Sequence, residues 1–340
     1  MKNQLVRAGV AAVAILAMAG FANAQDYSFR FQSSDPAGNP NFEYQKGWTD
    51  LVKERSNGQV QIELLPVGSV VEYNETLDAV AAGILDGQIC DSSYWAGKDP
   101  AFGLIANPVG AWSDPAQMID FVENGGGKEI MQELLGSYGL HFIGVSTPGL
   151  EAFVSRVPLD GVDDLKGLKM RSPEGPIANV FAAAGASPVN LPSAEVYTSL
   201  DKGVVDAADY SVFSVNQQQG LNDIAPNPVY PGFHSLPLVE VSMNQAKWDA
   251  LPDDIKTMLE ETVKEFQKTQ IEGNKAADLK AVEEAKAGGK ITIHDWSEEE
   301  RAKFRKLGQA EWQTIAQQSP MAQKVYDTLT AYLTEKNLLQ

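Results

Sequence analysis

Arg171 closes the run Leu165-Lys166-Gly167-Leu168-Lys169-Met170-Arg171, which reads as a turn and a short strand stopped at once by Ser172-Pro173-Glu174-Gly175-Pro176. A guanidinium at a strand end presents a planar fork that matches a carboxylate through two parallel charge-assisted hydrogen bonds. The chain has a formal charge of -18, so a small anionic ligand needs a specific local positive charge to hold it. On the residues alone, a strand-end arginine paired with a nearby carboxylate is the simpler account. Catalytic chemistry has no comparable carrier. Gly125-Gly126-Gly127-Lys128-Glu129 lacks the Ser or Thr of a phosphate loop, and there is no nucleophile elbow and no zinc-binding His pair. His141, His234 and His294 lie far apart, as structural histidines do, and the single cysteine, Cys90, permits neither a disulfide nor a Cys-based metal site. Cys90 follows Ile89 and reads as a small buried hydrophobe.

The elements that must position Arg171 are strands alternating with helices. Tyr27, Phe29 and Phe31 alternate with polar residues as in a half-buried strand ending at Ser33-Ser34-Asp35-Pro36, where the two serines are either donors or a plain turn. Tyr44, Trp48, Leu51 and Val52 share a helical face, Asn57-Gly58 stops it, and Val60, Ile62 and Leu64 alternate again. Leu77 to Leu85 gives a helix before the apolar run from Ile89 to Ser92-Ser93-Tyr94-Trp95. A later segment, Gly203-Val204-Val205-Asp206-Ala207, echoes Gly83-Ile84-Leu85-Asp86-Gly87, each between a helix and a strand. The loops after these strands, Ser92–Trp95 and Asp209-Tyr210, then occupy equivalent places in two similar α/β lobes with largely parallel sheets. Ligands in such sheets bind beyond the carboxyl ends of the strands, so two facing lobes make a cleft. Ser193 is the expected N-cap of the helix reaching Lys202, and from Pro252 onward the chain reads as charged amphipathic helix, interrupted at Gly288-Gly289 and ending as a docked exterior helix.

Lys2 and Arg7, the apolar run Ala8–Ala19 and Ala22-Asn23-Ala24 fit a cleavable signal peptide over residues 1–24, with the mature chain starting near Gln25 in the periplasm and no stable membrane anchor. Its loss takes the formal charge from -18 to -20, which repels nucleic acid. The remainder is long enough for two domains. The expected division is lobe I over 25–149, completed by about 239–300, lobe II over 150–238, and a C-terminal helical segment over 301–340.

Leu165–Arg171, Gly185-Ala186-Ser187-Pro188, Glu195-Val196-Tyr197 and Gly203-Val204-Val205-Asp206, in this order and spacing, resemble the solute-binding proteins of TRAP (tripartite ATP-independent periplasmic) transporters, the DctP family, over essentially the whole mature chain. The resemblance implies a two-lobed, type II-like periplasmic binding fold with crossing strands and a long connecting helix, and it makes Arg171 the residue that pairs with the ligand carboxylate. A narrower resemblance, to members that bind 2-oxo and 2-hydroxy monocarboxylates together with a metal ion, rests on two stretches. Tyr94-Trp95-Ala96-Gly97-Lys98-Asp99-Pro100-Ala101-Phe102 is similar to a YxxGKDPxF motif, and Tyr230-Pro231-Gly232-Phe233-His234 to a YPGxx loop. It implies cation ligation by the Asp209 side chain and the Tyr210 carbonyl, helped by the residue at Glu151, where the subgroup has glutamine. Two carboxylates suit Ca²⁺ at least as well as Na⁺. Alternatively Glu151 binds an amine or hydroxyl of another ligand, or meets solvent as any loop carboxylate does, and a carboxylate there argues against a dianionic ligand. Tyr94 and Trp95 are candidate cleft walls, with Phe213, Phe233 and His234 beside them, although aromatics in such strands also serve as core.

The expected function is a receptor, not an enzyme. It would close by hinge motion over a small monocarboxylate such as pyruvate, lactate or a longer 2-oxo acid, with Na⁺ or Ca²⁺ bridging the ligand and no organic cofactor, and deliver it to membrane permease subunits as a monomer or homodimer. The alternatives are a different organic acid or a sulfonate, a sensory protein of the same fold, or a secreted metal-dependent hydrolase using Asp209 and Glu151.

Overall fold

A computed structural model describes residues 27–173 and 175–339; the signal peptide expected over 1–24 lies outside them. Among the described residues, nine strands form two separate sheets. The first contains β1 (Tyr27–Ser33), β2 (Val60–Leu65), β3 (Gly87–Asp91), β4 (Leu140–Ser146) and β9 (Val239–Asn244), in the order β2-β1-β3-β9-β4. The second contains β5 (Ala152–Ser155), β6 (Lys169–Ser172), β7 (Ser187–Asn190) and β8 (Ala207–Ser211), in the order β5-β8-β6-β7. Each sheet has a parallel set, β2-β1-β3 in one and β8-β6-β7 in the other. The expected largely parallel sheet is corrected at β9, which enters the first sheet antiparallel to both β3 and β4, and at β5, which runs antiparallel to β8. A strand arriving from the other lobe has no crossover helix to enforce parallel entry.

The echoed segments are equivalent in three dimensions. Helix Thr76–Ala81 leads through Gly83, at φ +74°, into β3, and helix Val196–Asp201 leads through Gly203, at φ +70°, into β8. Both turns need the left-handed conformation that glycine adopts without a Cβ penalty. In each, the aspartate that follows accepts from a backbone N–H on the adjacent strand: Asp86 from Arg30 at 2.7 Å and Asp206 from Lys169 at 3.1 Å.

The long helix Asp253–Gly288 packs on β4 and on helix Pro40–Arg55, burying Ile255, Leu259, Val263 and Phe266 in the first lobe's core. Its C-terminal half reaches the second lobe, where Asp278 accepts from the Ser214 backbone N–H at 2.7 Å. The C-terminal segment is two helices, Glu298–Ala316 and Pro320–Glu335, whose Trp312, Leu329 and Leu333 belong to the main apolar core. Cys90 is fully buried in that core. No helix among the described residues is long and apolar enough to cross a membrane.

Within the first sheet, Glu240 is fully buried on β9 and its Oε1 accepts from Gln88 Nε2 at 2.6 Å. Burial pushes this carboxyl up from 4.5 to about 8. Because the folded group binds its proton more tightly than the unfolded one, its contribution is fully present below pH 4.5 and is lost as pH rises toward and through 8. Glu240→Gln should therefore gain stability over the wild type between pH 5 and 8, by on the order of 4 kcal/mol at the upper end. Urea unfolding at those two pH values measures it, and parallel pH dependence of the two proteins would contradict it.

Candidate functional site

The carboxyl ends of both parallel sets face one cavity of about 60 Å³. Residues following β1 and β3 approach from the first lobe, and Arg171 of β6 with Asp209 and Tyr210 of β8 approach from the second. Pro148, Glu151 and Pro237 supply the wall where the chain crosses between sheets. Hydrogen bonds span the lobes directly, from Asn39 Nδ2 to Tyr210 Oη, from Asn41 Nδ2 to Ser211 Oγ and from Gln219 Nε2 to the Gly38 carbonyl, each 3.3 Å.

Arg171 is 3 % exposed. Its guanidinium is fixed from behind by two backbone carbonyls, Nε donating to Leu191 at 3.0 Å and Nη1 to Asp209 at 2.6 Å. Among the described residues no carboxylate oxygen lies within 4.0 Å of it, which disposes of the simpler ion-pair account for those residues. A buried charge without a counterion is costly, and an anionic ligand is the partner that would offset that cost.

Glu151 and Asp209 are both buried beside it. Asp209 Oδ1 meets His234 Nε2 at 2.8 Å, and Glu151 Oε2 accepts a short hydrogen bond from the Ser235 hydroxyl. Ser235 is itself held by Asn107 Nδ2 at 2.7 Å. Burial, reinforced by the charge of Asp209, drives the Glu151 carboxyl well above its ordinary range. Burial works against the Asp209 carboxylate too, but hydrogen bonding and charge from His234, a hydrogen bond from Glu151 and the charge of Arg171 together hold it below. The surroundings thus favour the protonated form of Glu151 and the ionised form of Asp209. Glu151, Asp209 and His234 place one ligand atom each within 4.8 Å of one another, an oxygen-rich set that fits a hard cation taking the place of that proton.

The other sequence candidates divide. Tyr94 and Tyr210 line the cavity; the Tyr94 ring meets Tyr73 edge-on at 4.8 Å. Trp95 does not line it: 1 % exposed, it packs edge-on against Phe102 at 5.6 Å and borders a separate outer cavity of about 250 Å³ that Tyr94 shares. Phe233 is likewise removed from the wall, clustered with Trp296 at 5.0 Å and Phe304 at 5.8 Å, and Phe213 is core against Tyr230. His234 stands behind Asp209, its ring tilted against Phe153 with centroids 3.9 Å apart, and does not border the cavity. The other histidines lie elsewhere: His141 stacks on Trp248 and His294 meets Asp160. Ser193 makes no cap bond, because the short turn it opens follows Pro192, and it lines the cavity instead. Ser34 lines the cavity, while the Ser33 hydroxyl turns away to Gln45. Gly232 packs so tightly on the crossing segment that a Cβ would lie 2.3 Å from the Glu151 carbonyl oxygen, which accounts for the glycine of the Tyr-Pro-Gly loop.

Sequence reasoning missed Asp35, Asp91, Asn39, Asn41 and Gln270, all of which line the cavity. Asp35 and Asp91 were within reach of the strand-end rule that singled out Arg171, since they stand at the carboxyl ends of β1 and β3. The others come from helices Pro40–Arg55 and Asp253–Gly288 and the turn before the first of them, and nothing local marks them.

The family profile of the bacterial extracellular solute-binding proteins, family 7 (DctP), matches residues 31–319. A TRAP periplasmic solute-binding protein of Rhodobacter sphaeroides, in an apo open form, is 72 % identical over 92 % of this chain and 99 % of its own, with a TM-score of 0.76. One from Colwellia psychrerythraea, with bound calcium and pyruvate, is 23 % identical over 92 % of this chain and 96 % of its own, with a TM-score of 0.83. A monocarboxylate 2-oxoacid-binding periplasmic protein of Nostoc is 28 % identical over 83 % of this chain and 77 % of its own. With a family profile matched over most of its length and a 72 % identical solved relative, the chain belongs to the DctP family, the periplasmic solute receptors of TRAP transporters, which bind small organic acids and are not enzymes.

Proposed function

We propose that this receptor captures a small monocarboxylate of the 2-oxo or 2-hydroxy class, such as pyruvate, lactate or a longer 2-oxo acid, and hands it to a membrane permease. The observation that carries this is Arg171: a buried guanidinium, open to a closed-in cavity and without an ion pair among the described residues. Its fork takes the carboxylate, and Glu151 with Asp209 would hold Na⁺ or Ca²⁺. When bound, the cation supplies positive charge to the carboxylate and its neighbouring keto or hydroxyl oxygen. His234 keeps Asp209 ionised, and Ser235 orients Glu151.

The order of superposition supports a closed arrangement of the lobes. The open relative fits less well than the ligand-bound one despite about three times the identity, the reverse of what sequence divergence alone would give. Ligand binding to a closed state and not to an unfolded one stabilises the fold by mass action. Mature protein should melt at a higher temperature with pyruvate, lactate or a longer 2-oxo acid in calcium- or sodium-containing buffer. An unchanged melting temperature across that panel at millimolar concentration would remove the ligand assignment.

A further inference from the structure

The cavity carries more negative charge than a simple carboxylate receptor needs. Among the described residues that line it, four are acids (Asp35, Asp91, Glu151 and Asp209) and one, Arg171, is a cation. The proton or metal shared by Glu151 and Asp209, and the ligand carboxylate on Arg171, account for the second-lobe side. They leave Asp35 and Asp91, on the first-lobe side, with no cationic side chain in contact: none lies within 4.0 Å of either among the described residues, and only the more distant charge of Arg171 acts on Asp91. A plain anion entering this space would be opposed.

Both acids are held in place by one oxygen each. Asp35 Oδ2 accepts from Gln45 Nε2 at 2.8 Å, and Asp91 Oδ1 accepts from the Ser93 backbone N–H at 2.8 Å. Oδ1 of Asp35 and Oδ2 of Asp91 make no hydrogen bond among the described residues, and neither does the Tyr94 hydroxyl. Burial pushes both carboxyls up only to about 6, so both are ionised at neutral pH. Their surroundings do not suit a second metal. The one three-donor grouping among the described residues is Glu151, Asp209 and His234, and it excludes them. The rings of Tyr94 and Tyr210 line the same cavity, and anionic oxygens combined with aromatic faces are the chemistry that receives an organic cation.

We infer that the ligand carries a cationic nitrogen in addition to its carboxylate, and that Asp35 and Asp91 form the subsite that receives it. The inference rests on the carboxylate role proposed for Arg171 and extends it: Arg171 takes one end of a small zwitterion, and the first lobe takes the other. An acid of the proposed class that lacks the nitrogen still pairs with Arg171 but leaves Asp35 and Asp91 facing it without a cation, so it should bind more weakly than a matched acid that carries one.

The test is calorimetry at pH 8 in chelator-treated buffer and again with calcium, using matched acids with and without an amine: propionate against alanine and β-alanine, butyrate against 4-aminobutyrate, and valerate against 5-aminovalerate. At least one amino acid of the panel should bind about tenfold or more tightly than its partner lacking nitrogen. Asp35→Asn and Asp91→Asn should each erase that preference while their melting temperatures without ligand show the fold intact. Equal affinity within every pair, no binding of any amino member at millimolar concentration, or a preference that survives both substitutions would overturn the inference. So would calcium alone binding to the wild type and failing to bind Asp91→Asn, which would make these acids a metal site. Failure of the underlying role looks different: Arg171→Ala would then bind both members of a pair as the wild type does.

Discussion

Arg171→Ala is expected to weaken ligand binding by at least about a hundredfold, enough to abolish the melting shift at concentrations that saturate the wild type. Removing one partner of a buried, hydrogen-bonded charge pair costs about 2–5 kcal/mol or more, because the remaining carboxylate is left desolvated and unpaired. The unliganded protein should lose far less. In that state the guanidinium contributes two hydrogen bonds to the Leu191 and Asp209 carbonyls, and among the described residues no carboxylate forms an ion pair with it. Arg171→Lys keeps the charge but not the planar fork, and should fall between the two. Titration calorimetry of the three proteins measures this; equal affinities would remove Arg171 from the ligand.

The second large effect concerns the cation. Burial and the neighbouring Asp209 drive the Glu151 carboxyl up and so favour a proton on it, while Asp209 is held down. A metal ion bound there must displace that proton, so cation affinity should be greatest at alkaline pH and fall as pH is lowered toward 5. Asp209→Asn removes the ionised member and should reduce calcium affinity at least about tenfold, together with any calcium-dependent gain in ligand affinity. Calorimetry in two buffers of different ionisation enthalpy reads the released proton directly. Calcium binding with no proton release and no pH dependence would contradict the arrangement, as would an Asp209→Asn protein that binds calcium normally.

Much of this was legible in local sequence because local sequence determined it. The Gly83 and Gly203 turns, the strands that follow them and the place of Arg171 at the end of β6 all depend on short-range rules of turn conformation and alternation. The entry of β9 between β3 and β4 was not, since nothing within Val239–Asn244 says which of two sheets it joins or in which direction. The aromatic candidates separated for a related reason. In Tyr94-Trp95 the neighbouring side chains take different sides of the chain, so Tyr94 faces the cavity while Trp95 enters the core, whereas Phe233 and His234 both pack against Phe153 behind the wall. Ser193 looked like a cap because capping is a common use of serine, but Pro192 and the tight turn leave its hydroxyl free to face the ligand space. Asp35 and Asp91 obeyed a rule already in use and were passed over for want of a motif around them.

The most direct measurement is a crystal structure of the mature protein with the tightest acid from the matched panel. The ligand carboxylate should lie between the lobes with an oxygen about 2.7–2.9 Å from an Arg171 guanidinium nitrogen. A ligand bound with its carboxylate elsewhere, or an Arg171 that meets only protein atoms in the closed complex, would contradict the assignment of this cavity.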